Sequence, residues 1–272
     1  MVVVKYLLKF LAVLLLFIEI DCDENDIESR VVDGQLVPIR RFPHVAFLRI
    51  VLPYGEENVC GGSIVNQFLL VTAAHCMDFV NLRRDSIWAY VGHENIDEIN
   101  IIRSVKKKYI HEDYDPFLNT PISDIALLLL KEALPLHKTI QRILINIQFP
   151  SSKFVTEGYL AGWGLVDEVN ETPTMWLRSI TQELLDPRFC YRILNGRIPG
   201  TFCGGSKHAN RPRPAMGDSG SGLISKHREL LGVMSVKSAK SPSVAFYTNV
   251  TSFYSWLVKT AQEALQSTCG HL

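Results

Sequence analysis

Val71-Thr72-Ala73-Ala74-His75-Cys76 ends an apolar run on an imidazole and a thiol. Two other stretches far along the chain match it in chemical content: Asp124-Ile125-Ala126-Leu127, and the turn Gly217-Asp218-Ser219-Gly220. Taken singly each has a plain structural reading, because a histidine at a strand end commonly serves packing and a Gly-Asp-Ser-Gly run makes a turn. Chance rarely produces the three together, in the order His, Asp, Ser, with a cysteine able to form a disulfide beside the histidine.

Around these stretches the chain reads as short strands separated by turns. Val45 to Leu52, Ser63 to Thr72, Ile87 to Gly92, Ile99 to Tyr109, Ile125 to Leu130, Phe154 to Gly162, Leu230 to Val236 and Val244 to Thr248 are rich in β-branched, aromatic and leucine residues. Gly, Pro, Asn and Asp punctuate them, which is the rhythm of an all-β sandwich or barrel. The C-terminus differs: Phe253, Trp256, Leu257, Ala261, Ala264 and Leu265 share one helical face, and Thr251-Ser252 can cap it, so an amphipathic α-helix over about 252–266 is expected to pack on the β body. Lys106-Lys107-Lys108 reads as a solvated face.

Composition narrows the classes. The 272 residues carry 28 basic and 28 acidic side chains, a formal charge of zero, so the basic surplus of a nucleic-acid binder is missing. With 47% hydrophobic and 21% charged residues the chain can bury a sizeable core. Residues 1–22 are set aside as a signal peptide: Lys5 and Lys9 precede the apolar run Phe10 to Ile18, which is too short for a bilayer that takes roughly 20 residues, and an acidic stretch follows. The expected location is secreted and extracellular, with no membrane contact after signal removal.

In an oxidising compartment the six cysteines should pair. Cys60 with Cys76 closes a loop of about 16 residues, worth roughly 3 kcal/mol in the chain-entropy model. Cys190 with Cys203 is the second expected bridge. Cys22 and Cys269 remain, and a signal cut after Cys22 leaves Cys269 without a partner. There is no CxxC pair and no HExxH, so no metal is expected.

On these motifs the chain resembles the trypsin- and chymotrypsin-like serine proteases from about Val31 to the C-terminal helix. The resemblance extends to Arg30-Val31-Val32-Asp33-Gly34, like the family's activation site, to Cys60-Gly61-Gly62-Ser63 and to Gly162-Trp163-Gly164. It implies two six-stranded antiparallel β-barrels, near 31–145 and 146–258, with the active site in the cleft between them. It implies that His75 takes the proton of Ser219, that Asp124 orients His75, that Ser235 supports Asp124, and that the N–H groups of Gly217 and Ser219 form the oxyanion hole. It further implies an activation propeptide over 23–30 and a protease domain over 31–272. Cutting after Arg30 would free the Val31 ammonium to pair with Asp218, making the protein a zymogen awaiting a trypsin-like activating protease.

The sequence departs from the family around the specificity pocket. The usual cysteine four residues before the nucleophile is Ala215, and no partner cysteine lies between Val236 and Thr248. Arg213 falls where trypsin-like members carry an aspartate, Lys237 and Ala245 replace pocket glycines, and Val236 stands where a tryptophan is usual. Three pocket readings stay open: a cationic pocket for Asp or Glu, a pocket filled by its own side chains, and long side chains swung out to solvent. Tryptic specificity is rejected.

The leading expectation is an active, non-tryptic secreted serine endopeptidase acting on protein or peptide substrates. The alternatives are a binding or regulatory homologue with an obstructed pocket, and a non-enzymatic secreted β-barrel carrier. Protein protease inhibitors are expected partners, no cofactor is expected, and the protein is expected to be a monomer. Asn170-Glu171-Thr172 and Asn249-Val250-Thr251 are glycosylation acceptors, the second close to a strand end.

Overall fold

Alternation of apolar and polar residues along the first strands, with every second side chain turned inward, is what allows a sheet to close on itself. The computed structural model describes residues 34–118, 121–148, 155–208 and 211–269. The chain enters through β1 (Gln35–Leu36) and lays down β2 (Val45–Val51), β3 (Glu57–Asn66), β4 (Leu69–Thr72), β5 (Ser86–Val91), β6 (Ile101–Ile110) and β7 (Ala126–Leu130). After β8 (Leu144–Ile145) come β9 (Glu157–Gly162), β10 (Arg178–Leu184), helix α1 (Pro187–Ile193), β11 (Thr201–Gly205), β12 (Gly222–Ile224), β13 (Glu229–Lys237) and β14 (Val244–Asn249). The terminal helix α2 spans Tyr254–Cys269.

Strands β2-β3-β4-β7-β6-β5 close one antiparallel barrel. The second closes as β9-β10-β11-β14-β13-β12, with β12 returning to β9. The two six-stranded barrels and the C-terminal helix are the architecture that the resemblance implied. Leu48, Ile50, Ile64, Leu70, Ile87 and Leu127 fill the first barrel, and Leu160, Ile180, Leu223, Met234 and Tyr247 the second. Strand β7 is buried at every position because α2 packs on it, and Leu257 and Ala264 of the helix are sealed off from solvent.

Several details differ from the sequence reading. Ser63 to Thr72, read as one strand, is a hairpin: the chain reverses at Gln67-Phe68, and the Phe68 N–H donates to Asn66 Oδ1 at 3.1 Å. The α2 entry is not capped by the Thr251 hydroxyl, which donates instead to the Asn146 carbonyl at 2.8 Å. Strands β1 and β8 lie in the stretch read as the first barrel, yet β1 pairs with β10 and β8 runs parallel to β13. Each is a connector that crosses between the barrels. The segments of Arg30, Val31 and Cys22, and thus the signal and propeptide, lie outside the described residues.

Candidate functional site

The register of the first barrel brings two of the chemical stretches together. Thr72 of β4 pairs with Ala126 of β7, so the segments just beyond those strand ends, carrying His75 and Asp124, lie side by side. The His75 N–H donates to Asp124 Oδ1 at 2.9 Å and its Nδ1 lies 2.8 Å from Oδ2. A carboxylate only accepts, so the network assigns the proton to Nδ1 and leaves Nε2 as the acceptor. Asp124 is almost wholly buried, while His75 is about one-third exposed. Burial pushes the Asp124 carboxyl up, but hydrogen bonds and charge from His75, with a hydrogen bond from Ser235, outweigh it and hold the carboxyl below its ordinary range.

The second barrel grips this pair from the far side. The Ser235 hydroxyl on β13 donates to Asp124 Oδ2, and the Thr248 hydroxyl on β14 donates to the Asp124 carbonyl at 2.8 Å. Ser219 sits in the turn before β12, and its carbonyl accepts from the Gly61 N–H of β3 at 2.7 Å. The disulfide between Cys60 and Cys76, with Cα atoms 6.4 Å apart, ties the residue after His75 to the residue before Gly61. Histidine and serine are thus fixed to the same strand. Both line one cleft of about 560 Å³ between the barrels, together with Asp124, Tyr114, Glu168, Met216, Ser235 and Lys237. Among the described residues no hydrogen bond joins the Ser219 hydroxyl to His75.

The turn carrying Ser219 depends on its glycines. Gly217 and Gly220 have φ of +97° and +83°, a region that a side chain disfavours, and a Cβ at Gly220 would lie 2.2 Å from Thr72 Oγ1. Neither the Gly217 nor the Ser219 N–H donates to a protein acceptor among the described residues. Asp218 is fully buried, with Oδ1 accepting from the Gly164 N–H at 2.9 Å and Oδ2 from the Ala215 N–H at 2.8 Å. A Cβ on Gly162 or Gly164 would lie 2.3 or 2.4 Å from that carboxylate, which explains the Gly-Trp-Gly sequence. Burial pushes the Asp218 carboxyl up to about 6 against those two hydrogen bonds.

Of the residues expected at the specificity pocket, Ser235 and Lys237 line this cleft while Arg213 and Ala245 are not among its lining residues. The two cations are paired rather than swung out to solvent. Glu168 meets both cations: its Oε2 lies 3.6 Å from Arg213 Nε, and its Oε1 accepts from Lys237 Nζ. Ala245 packs in the second barrel's core with Met234 and Tyr247. Sequence reasoning missed Glu168, because nothing local marks a loop glutamate as the partner of an arginine 45 positions on. Tyr114 was missed too; burial and the charge of Asp124 push its hydroxyl up to about 12.

The second disulfide, Cys190 to Cys203, pins α1 to β11. His75 lies near Cys60 and Cys76, but those sulfurs are spent on their disulfide and offer no thiolate to a metal. Asn170 is exposed, whereas Asn249 is buried at the end of β14 with its Oδ1 accepting from the Thr251 N–H. No helix among the described residues is long and apolar enough to cross a membrane.

A family model described as trypsin matches residues 31–257. A trypsin of Sarcophaga bullata is 28% identical, covering 94% of this chain and 100% of that protein. Coagulation factor IX of Cavia porcellus is 29% identical over 84% of this chain and 80% of its own. Among solved structures, one described as GrC superposes with a TM-score of 0.75 at 25% identity, over 84% of this chain and 98% of its own. One described as HL collagenase shares the fold with a TM-score of 0.70 at 24% identity, over 85% of this chain and 98% of its own.

Proposed function

Since the chain belongs to the trypsin family of serine proteases, we propose that it is a secreted serine endopeptidase, made as a zymogen, that hydrolyses peptide bonds with non-tryptic specificity through Ser219, His75 and Asp124. The observation that carries this is the doubly hydrogen-bonded pair of His75 and Asp124, opening on the cleft that Ser219 also lines.

A neutral hydroxyl is a poor nucleophile, so Ser219 attacks the substrate carbonyl as His75 Nε2 takes its proton. Asp124 holds the tautomer that leaves Nε2 free and stabilises the imidazolium that forms. The charge developing on the carbonyl oxygen is met by the N–H groups of Gly217 and Ser219, each such donor being worth about 2.7–4 kcal/mol of barrier. His75 then returns the proton to the leaving amine, and water releases the acyl group by the same route in reverse.

Activation follows from Asp218, a buried carboxylate with two amide donors and a raised pKa. The ammonium of Val31, freed by a trypsin-like protease cutting after Arg30, is its proposed counter-charge. The reach is supported by the anchoring of Gly34: its carbonyl accepts from Arg178 Nη1 at 3.0 Å, and Arg178 pairs with Gly162, beside the Asp218 carboxylate. Residues 1–22 would be the signal peptide, 23–30 the propeptide and 31–272 the protease domain, acting as an extracellular monomer on protein or peptide substrates. Protein inhibitors would fill the same cleft, and Asn170 would carry a glycan.

A second reading, a binding or regulatory homologue with an obstructed pocket, is favoured by the ion pairs of Glu168 with Arg213 and Lys237. N-terminal sequencing of the mature protein together with a substrate-library profile tests the proposal. It predicts a new terminus at Val31 and cleavage after non-basic residues. A mature protein beginning elsewhere, or one that cuts no peptide, contradicts it.

A further inference from the structure

Residues 165–172 form a small hairpin that makes most of its own shape. The Val166 N–H donates to the Thr172 carbonyl and the Thr172 N–H to the Asp167 carbonyl, each at 2.9 Å. The Asp167 carboxylate collects the N–H groups of Val169 and Asn170 at 2.8 and 3.1 Å. At its root the Leu165 N–H donates to the Met216 carbonyl at 2.8 Å, three residues before Ser219. A side chain on this hairpin is therefore presented to the cleft from a fixed base, and that side chain is Glu168.

Glu168 is about three-quarters buried, between Arg213 at 19% and Lys237 at 31% side-chain exposure. The three come from separate segments: the hairpin, the loop before β12, and the end of β13. Glu168 and Lys237 line the cleft that holds His75 and Ser219. Two cations share one carboxylate, so the cluster keeps a formal surplus of one positive charge. Partly buried cations of this kind need an anion nearby, and removing one partner of such a pair leaves the other uncompensated.

We infer that Glu168 is a built-in stand-in for the acidic side chain of a substrate: it occupies the carboxylate position of the specificity pocket, and peptides with Asp or Glu before the scissile bond bind by displacing it. The inference rests on the endopeptidase reading and adds the substrate class to it. Exchange of one carboxylate for another keeps both cations paired. An apolar side chain that enters must expel Glu168 without replacing its charge, and a basic one meets two cations. The tethered carboxylate also competes at a high effective concentration, so it raises the KM of the substrates the pocket selects. Glu168 is thus both the template of the specificity and a brake on it.

The test compares wild type, Glu168→Gln and Glu168→Ala, each as the full chain cleaved after Arg30, on peptides differing only in the residue before the scissile bond. Fluorophosphonate labelling of Ser219 measures nucleophile reactivity separately in each protein. The wild type should prefer Asp and Glu over Leu, Phe and Arg. Both variants should raise kcat/KM for the acidic peptides by about tenfold relative to Leu, chiefly through KM. Adding Lys237→Gln to either should remove that gain. If Ser219 labels normally but wild type cuts after apolar residues as well as after acidic ones, or the acidic-to-Leu ratio stays within about twofold in both variants, this inference is overturned and the protease reading stands. If Ser219 of the cleaved wild type takes no label, the protease reading fails and takes the inference with it.

Discussion

The two ends of the cleft, which the proposed function assigns to the reaction and to the substrate, are held by different physics. At the reaction end, His75, Asp124, Ser219 and Ser235 are fixed by hydrogen bonds whose partners are backbone groups, short side chains or strand neighbours. At the substrate end, Arg213, Lys237 and Glu168 meet through long, partly exposed side chains carried on loops and a strand terminus. Short buried contacts have one arrangement. Ion pairs between flexible chains near solvent are worth little individually and exchange partners readily. The contrast suits a protein that keeps its chemistry rigid and makes its selectivity adjustable.

The largest expected effect breaks the reaction end. Asp124→Asn keeps the shape but favours the wrong imidazole tautomer, and steady-state kinetics should show kcat falling about 10⁴-fold, the size such an inversion costs in triad hydrolases. The fold should survive, since Thr248 still donates to the backbone carbonyl of residue 124 and the Ser235 hydroxyl can turn to accept from the new amide.

A smaller effect comes from pH. The folded, uncleaved chain holds Asp218 at a pKa of about 6, above its ordinary value of 3.8, because burial disfavours its charge. Between those values the folded state keeps a proton the unfolded state has released, so this group's contribution to stability falls as pH rises from about 4 to 6, by up to about 3 kcal/mol. Cleavage that pairs Asp218 with an ammonium should abolish or reverse that slope. Denaturant melts of cleaved and uncleaved protein across this window compare the two directly, and subtraction removes the opposite slope from His44, whose pKa burial lowers to about 3.

Gly164→Ala sharpens the comparison at the same carboxylate. Its Cβ would lie 2.4 Å from Asp218 Oδ2, with no flexible side-chain end to yield, so overpacking should cost about 1–3 kcal/mol in denaturant unfolding. The smallest effect belongs to the substrate end. Arg213→Ser removes one of the two cations on Glu168 and leaves that carboxylate paired with Lys237, so unfolding stability should change by about 1 kcal/mol or less, while the cleavage preference in a peptide library moves.

The same contrast governs what the sequence reveals. His75, Asp124 and Ser219 were legible because each lies in a short motif at a strand end, and the register Thr72 to Ala126 joins the first two. Strands of continuous apolar character, such as β7, were equally plain. Strand β10 was not, because Gln182 occupies a buried position and satisfies itself through Tyr247 and the Pro212 carbonyl, which masks the apolar alternation. Strand β12 is three residues long, too short for any period to register. Arg213 and Lys237 could be placed near the pocket, but their direction depended on Glu168, a contact that spans 45 and 69 positions and leaves no trace in local pattern.

Labelling with a fluorophosphonate, followed by mass mapping of the modified peptide, reads the central claim most directly. With Val31 at the amino terminus, the account predicts covalent modification at Ser219, lost when His75 is changed to alanine and far slower before the cut after Arg30. A correctly trimmed and folded protein that leaves Ser219 unmodified would contradict it.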